Sequence, residues 1–233
     1  MSACRLPTGS CWLHFRWVLG PLLAVHLAMS GCAQHVTIRP PLNTSLGYQV
    51  YEALGEVNRA PVHVGLLIEQ PLQELTFSYQ GSLGTVVAPI GQVLAAKIVH
   101  LVSLRFDRVT LIKSPDEAPP LLLRIALQGE SPDIGIELKV HPNFLTGAST
   151  FDVIAKTDVR LRASLSDYGE QLWVGTARFV QEMASGGVAY GATEGSTQAS
   201  DLMNRLTDQV IADLAQQIQR SSHLKAYLEG KRI

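Results

Sequence analysis

VRLRASLSDYGEQLW, residues 159–173, alternates apolar and polar side chains and then breaks at a short turn. Successive side chains of a strand point to opposite faces. Val159, Leu161, Ala163 and Leu165 therefore share one side of an extended chain, and Arg160, Arg162 and Ser164 share the other. A period of two with one apolar side marks a sheet that is covered on one face. Asp167-Tyr168-Gly169-Glu170 sets a glycine between this strand and the next run, Leu172 to Glu182, which predicts an antiparallel hairpin.

Further strands read outward from the hairpin. The strand just named extends back to Phe151, and Ile134 to His141 alternates cleanly, with Ile134, Ile136, Leu138 and Val140 against Gly135, Glu137, Lys139 and His141. Leu121 to Leu127, Arg108 to Lys113 and the β-branched run Val62 to Ile68 are further strands, and Leu75 to Tyr79 is a second strand or a turn-rich crossing. Two stretches change to helical spacing. Ile90 to Phe106 carries apolar residues at 90, 93, 94, 98, 101, 102 and 104, with Gln92, Lys97, His100 and Ser103 on its less apolar side. From Ser200, an N-cap by residue type, Leu202, Leu206, Val210, Leu214 and Ile218 recur on one face, with Met203 and Ile211 beside them. The whole predicts an α+β fold, an antiparallel sheet with two helices packed on one face.

The chain divides into an export segment, residues 1–31, an arm, residues 32–60, and a single domain, residues 61–233. The export segment holds Arg5 and Arg16 and no acid, the first acid in the chain being Glu52. Its apolar run, Val18 to Ala28, is far shorter than the roughly 20 residues of a spanning helix and suits a cleaved signal. Ala33 to Pro61 has weak periodicity and a Pro40-Pro41 pair, the marks of a tether or loosely packed arm from which Tyr48, Val50, Tyr51 and Leu54 can reach the domain. Removing residues 1–31 takes away two bases and no acid, so the formal charge moves from −1 to −3, which excludes nucleic acid as a partner. Cys4 and Cys11 leave with the segment, and Cys32 stays as the one thiol of an exported chain.

Met29-Ser30-Gly31-Cys32 closes the export segment and resembles the bacterial lipobox, in which small residues precede a cysteine; Met29 departs from the usual leucine. The resemblance implies cleavage before Cys32, a diacylglyceryl thioether on its sulfur and a third acyl chain, such as palmitate, on the freed amine. Two or three chains hold a protein on a bilayer, since each buried methylene contributes about 0.8 kcal/mol. Ala33 follows, where lipoproteins kept in the inner membrane commonly carry aspartate, so the resemblance implies sorting to the outer membrane, facing the periplasm. The element pattern over residues 62–219, with Ser166 to Trp173 at its hairpin, resembles small α+β outer-membrane lipoproteins such as the lipopolysaccharide-assembly lipoprotein and the YajG-like families.

Motifs for chemistry are sparse. No G-x-S-x-G elbow, H-E-x-x-H helix, C-x-x-C pair or phosphate-binding glycine loop occurs. His35, His63, His100, His141 and His223 stand at least 28 residues apart, so no local metal-ligand spacing arises; no catalytic residue, metal or cofactor is expected. The glycine-rich stretch Gly186 to Gly195 reads as a strand-to-helix connection. Arg160, Arg162 and Arg178, with Lys156 near them, form a basic strip that can meet an anion or a partner, diluted by Asp152, Asp158 and Glu182. Three function classes follow: a non-enzymatic accessory or assembly subunit that binds another envelope protein, a module that takes lipid or another amphiphile between the helices and the sheet, and an envelope hydrolase assembled from distant residues.

Overall fold

The computed structural model describes residues 37–56, 59–81, 84–129, 133–142, 149–184 and 192–230. In chain order the described elements are β1 (Thr37–Ile38), α1 (Tyr48–Leu54), β2 (Ala60–Ile68), α2 (Gln70–Gln73), β3 (Phe77–Gly81), β4 (Gly84–Ala88), α3 (Ile90–Arg105), β5 (Phe106–Leu111), β6 (Leu121–Leu127), β7 (Asp133–Pro142), β8 (Ser149–Asp167), β9 (Glu170–Ala184), α4 (Ala192–Arg220) and α5 (Ser222–Gly230). The main sheet runs β5-β2-β6-β8, with β7 and β9 also paired to β8, and a small sheet runs β1-β4-β3.

The main sheet is mixed, which corrects the antiparallel expectation: β2 is parallel to both β5 and β6, and only β6, β7 and β9 pair antiparallel with β8. Parallel neighbours need a crossover, and the chain makes two. The first is α3, which leads into β5. The second is residues 112–120, which return across β2 to β6 with no more than a single 3-10 turn, Pro115–Glu117. They pass directly over Gly65, where an added Cβ would lie 2.7 Å from Pro119 Cδ and 3.3 Å from Ile112 Cδ1. With that cover β2 is buried on both sides from Val64 to Ile68, so an unbroken apolar run here means a central strand in a parallel setting.

The hairpin forms where its turn chemistry puts it. Tyr168 and Gly169 have φ of 47° and 87°, positive at both central positions as a type I′ turn requires, and glycine takes the second at no steric cost. Two steps from the turn the register slips by one, because Ser166 pairs with Gln171 but Leu165 with Trp173, leaving Leu172 as the extra residue of a β-bulge. The slip brings Ala177 opposite Leu161 and Arg178 opposite Arg160. Leu66, Leu123 and Leu165 form one cross-strand row and Ile68, Ile125 and Ala163 the next, with Val64 beside Leu121 at one end and Leu161 beside Leu127 at the other. All of these are buried except Leu127, which is half-buried.

Helices α3 and α4 touch each other; α4 also touches β8, β9 and α1, and α3 touches β2 and β5. Their buried residues, including Leu94, Ile98 and Leu101 of α3 and Leu202, Leu206, Val210 and Leu214 of α4, share one core with the sheet residues. Helix α4 begins at Ala192, so Ser200 lies inside it rather than at its cap; its hydroxyl donates to the carbonyl of Pro41. The arm is laid along α4: the Asn43 amide donates to Asn204 Oδ1 (2.8 Å), Gln49 Nε2 to the Arg205 carbonyl (3.3 Å), and Leu46, Val50 and Leu54 enter the core. Tyr48 and Tyr51 stay exposed. The inward and outward assignment of β7 side chains lies outside the described residues, as do Gly186 to Tyr190 and Gly191.

Leu161→Asp puts an unpaired carboxylate among apolar side chains and is expected to lower stability by about 3 kcal/mol or more, whereas Arg162→Asp, on the exposed side, changes it by about 0.5 kcal/mol or less. Denaturant titration of the two variants checks this; equal losses would overturn the strand's face assignment.

Candidate functional site

Arg160 and Arg178 are cross-strand neighbours on the outer side of the β8–β9 hairpin. Two like charges opposite one another repel, and Asp158, two residues before Arg160 on the same strand face, resolves the conflict. Arg160 donates to Asp158 through Nε (3.1 Å) and Nη2 (2.8 Å), and Arg178 does so through the same pair of nitrogens at 3.3 and 3.2 Å. One carboxylate thus holds two forked guanidinium groups, a bidentate geometry that lysine cannot supply. The hydrogen bonds from Arg160, and then those from Arg178, hold the Asp158 carboxyl well below the usual carboxylate range, and Asp158 in turn pushes the Arg160 guanidinium up. The side chains of Arg160 and Arg178 remain 44% and 53% exposed, so the cluster is ordered and open to solvent at once.

Arg162 is exposed one step further along this side and has no bond to Asp158. Arg124 of β6 faces the same way, in register with Ser164, and is paired with Glu69. The backbone amide of Arg178 donates to Asp213 Oδ2 of α4 at 2.9 Å, so part of the free edge of β9 is capped by a side chain, one of the ways edge strands avoid unwanted pairing. Of the residues singled out from the sequence, Arg160 and Arg178 are brought together and Arg162 lies beside them. The opposing register of 160 and 178 depends on the bulge at Leu172, which the alternation does not reveal. Cys32 and Ala33 lie outside the described residues.

Lys97 was expected on the less apolar side of its helix, but its side chain is fully buried. The ammonium donates to Asp208 Oδ1 (2.7 Å) and Thr207 Oγ1 (2.8 Å), and the Asn204 carbonyl lies at 3.5 Å. Asp208 Oδ1 also accepts the backbone amide of Gly47 at 3.0 Å. Burial pushes the Lys97 pKa down, while the hydrogen bond to Asp208 and its charge push it back up. A signal existed in the sequence: three of the four helical neighbours of Lys97, Val93, Leu94 and Leu101, are apolar and buried, and only His100 is exposed. The ammonium is enclosed by packed groups and serves as a tie between α3, α4 and the arm.

Ile90, Leu94, Val159, Met203, Leu206, Thr207 and Val210 line a crevice between the two long helices and β8 with a volume of about 10 Å³. That is room for about one water molecule, against the roughly 300 Å³ or more of a small-molecule site. Among the described residues no group of three His, Cys, Asp or Glu side chains is placed to hold a metal ion, and no helix is long and apolar enough to cross a membrane.

No protein-family model and no curated protein matches the chain. Among solved structures it is similar to a Xanthomonas campestris protein of the family DUF330, at 11% identity and a TM-score of 0.43, over 85% of this chain and 99% of that one. It is similar to the rare lipoprotein B of Shewanella oneidensis at 12% identity and a TM-score of 0.35, over 71% and 99%. An uncharacterized lipoprotein B of Nitrosomonas europaea stands at 13% and 0.36, over 74% and 94%. Lipoproteins thus stand among the similar structures, but with every TM-score below 0.5 none of them carries an assignment to this chain.

The Lys97 tie predicts an asymmetry. Asp208→Ala leaves a buried ammonium without its counter-charge and is expected to cost about 3–5 kcal/mol. Lys97→Met fills the same space with an apolar chain and leaves Asp208 its Gly47 partner, so it costs less, and adding it to Asp208→Ala restores part of the loss. Denaturant melts of the three variants measure this; a Lys97→Met loss as large as that of Asp208→Ala would contradict the tie.

Proposed function

We propose that this chain is an envelope lipoprotein, acylated at Cys32 and carried to the periplasm-facing side of the outer membrane, where it acts as a non-enzymatic accessory or assembly subunit by binding another envelope protein. The observation that carries the binding role is the outer side of the β8–β9 hairpin. Asp158 holds Arg160 and Arg178 in fixed geometry and Asp213 holds the strand edge, so little side-chain entropy is left to lose on docking. Ordered arginines beside an exposed one, Arg162, suit the carboxylates of a protein surface. The anchor is supported by Met29 to Cys32 and the acid-free leader before them.

The amphiphile reading is weaker on a specific ground. Its natural place, between α3, α4 and the sheet, is a crevice of about 10 Å³, and Lys97 together with Asp208 ties the two helices beside it. An acyl chain would have to part them.

A photo-crosslinking residue at position 162, in intact cells, is expected to give a discrete adduct with a single envelope protein, absent when the same residue stands at the exposed position 225. Charge reversal of Arg160 and Arg178 together is expected to remove the adduct and leave the fold intact. The same adduct from both positions, or one indifferent to the reversal, would overturn the docking role of this face.

A further inference from the structure

The strand registers distinguish two opposite ends of the described domain. At one end β1 pairs with β4, β4 with β3, and β3 touches β7; β7 in turn pairs with β8 from Ser149 to Asp158. At the other end β8 turns into β9. There the Tyr168 amide donates to the Pro120 carbonyl, and the Tyr227 hydroxyl of α5 is bonded to Asp167. From Asp158 to Asp167, at about 3.3 Å per residue, is about 30 Å. Helix α4 has the same polarity. Ser200 is bonded to Pro41, just past β1, and from there to Arg220, next to α5, at about 1.5 Å per residue, is again about 30 Å.

Cys32 stands five positions before Thr37. A chain extends by at most about 3.6 Å per residue, so whatever path those residues take, an acyl-bearing Cys32 lies within about 18 Å of Thr37. We propose that the end of the domain built from β1, β4 and β3 sits against the lipid bilayer, and that the Tyr168–Gly169 turn and α5 point away from it. The inference rests on the acylation of Cys32 proposed above. A tether of about 18 Å brings the bilayer to the β1 end and does not oblige it to meet the turn, about 30 Å away. Among the described residues the charge gives no reason for the domain to lie flat. The mature chain carries −3, and on the arginine face Asp158 and Glu69 pair with three of the arginines, which leaves little pull towards anionic lipid. Tyr168, 80% exposed, is then presented to the periplasm, and the arginine face stands upright beside the membrane.

The test uses the lipidated mature protein on vesicles of phosphatidylethanolamine and phosphatidylglycerol. Once Cys32 is acylated the mature chain has no other cysteine, so Ser78→Cys in β3 and Tyr168→Cys at the turn each offer one site for a fluorophore, and a nitroxide on the lipid headgroup reports contact. The expected result is flotation of both variants with the vesicles, quenching at position 78 and none at position 168. Flotation with equal quenching at both positions, with stronger quenching at 168, or with none at either overturns the orientation and leaves the anchor standing. Failure to float overturns the anchor and the orientation with it.

Discussion

The ammonium of Lys97, sealed between two helices, is the constraint on which the rest of the structure leans. A buried charge is tolerable only with a counter-charge and full hydrogen bonding, and Asp208 and Thr207 of α4 provide both. This fixes one depth and one rotation of α3 against α4. Asp208 Oδ1 also accepts the Gly47 amide, so the arm is secured by the same carboxylate. Further along α4, Asp213 reaches the Arg178 amide at the sheet edge. A chain of bonds therefore runs from a buried lysine through one helix to the arginine cluster on the outer surface. Helix position and the presentation of Arg160 and Arg178 are linked through it.

Elements with strong periodicity were legible from the sequence, and their reasons are local. Leu121 to Leu127 has the same bounds in the structure as the strand read from the sequence, and the turn at Tyr168-Gly169 follows from its residue types. Strand direction was not legible, because alternation is blind to it. The clue lay in Val64 to Ile68, apolar on both sides, and it became decisive only with residues 112–120 crossing over Gly65. The small sheet was half missed, since β1 and β4 have two and five residues, too few for a period to show. Ser200 was misplaced because a serine near the start of an apolar stripe suits a cap, whereas here its partner is the carbonyl of Pro41, distant in sequence.

The candidate site was legible as composition and hidden as geometry. Arg160, Arg162 and Arg178 stand out as bases in a hairpin. That Asp158 would organise two of them, rather than merely dilute them, depends on the one-residue slip at Leu172. Without that bulge Arg160 would face a core alanine's position and the guanidinium pair would not form. The same slip puts Ala177 on the apolar side opposite Leu161, so core packing and surface display are set by one backbone irregularity.

A lipid anchor on Cys32 is what the proposed role of the domain and its ordered outer face both need. Mass spectrometry of the protein isolated from its own membrane decides it. The expected result is an N-terminal peptide that begins at Cys32 and carries a diacylglyceryl group on sulfur and an acyl chain on the amine. A mature peptide retaining residues before Cys32, or beginning there with an unmodified thiol, would contradict it.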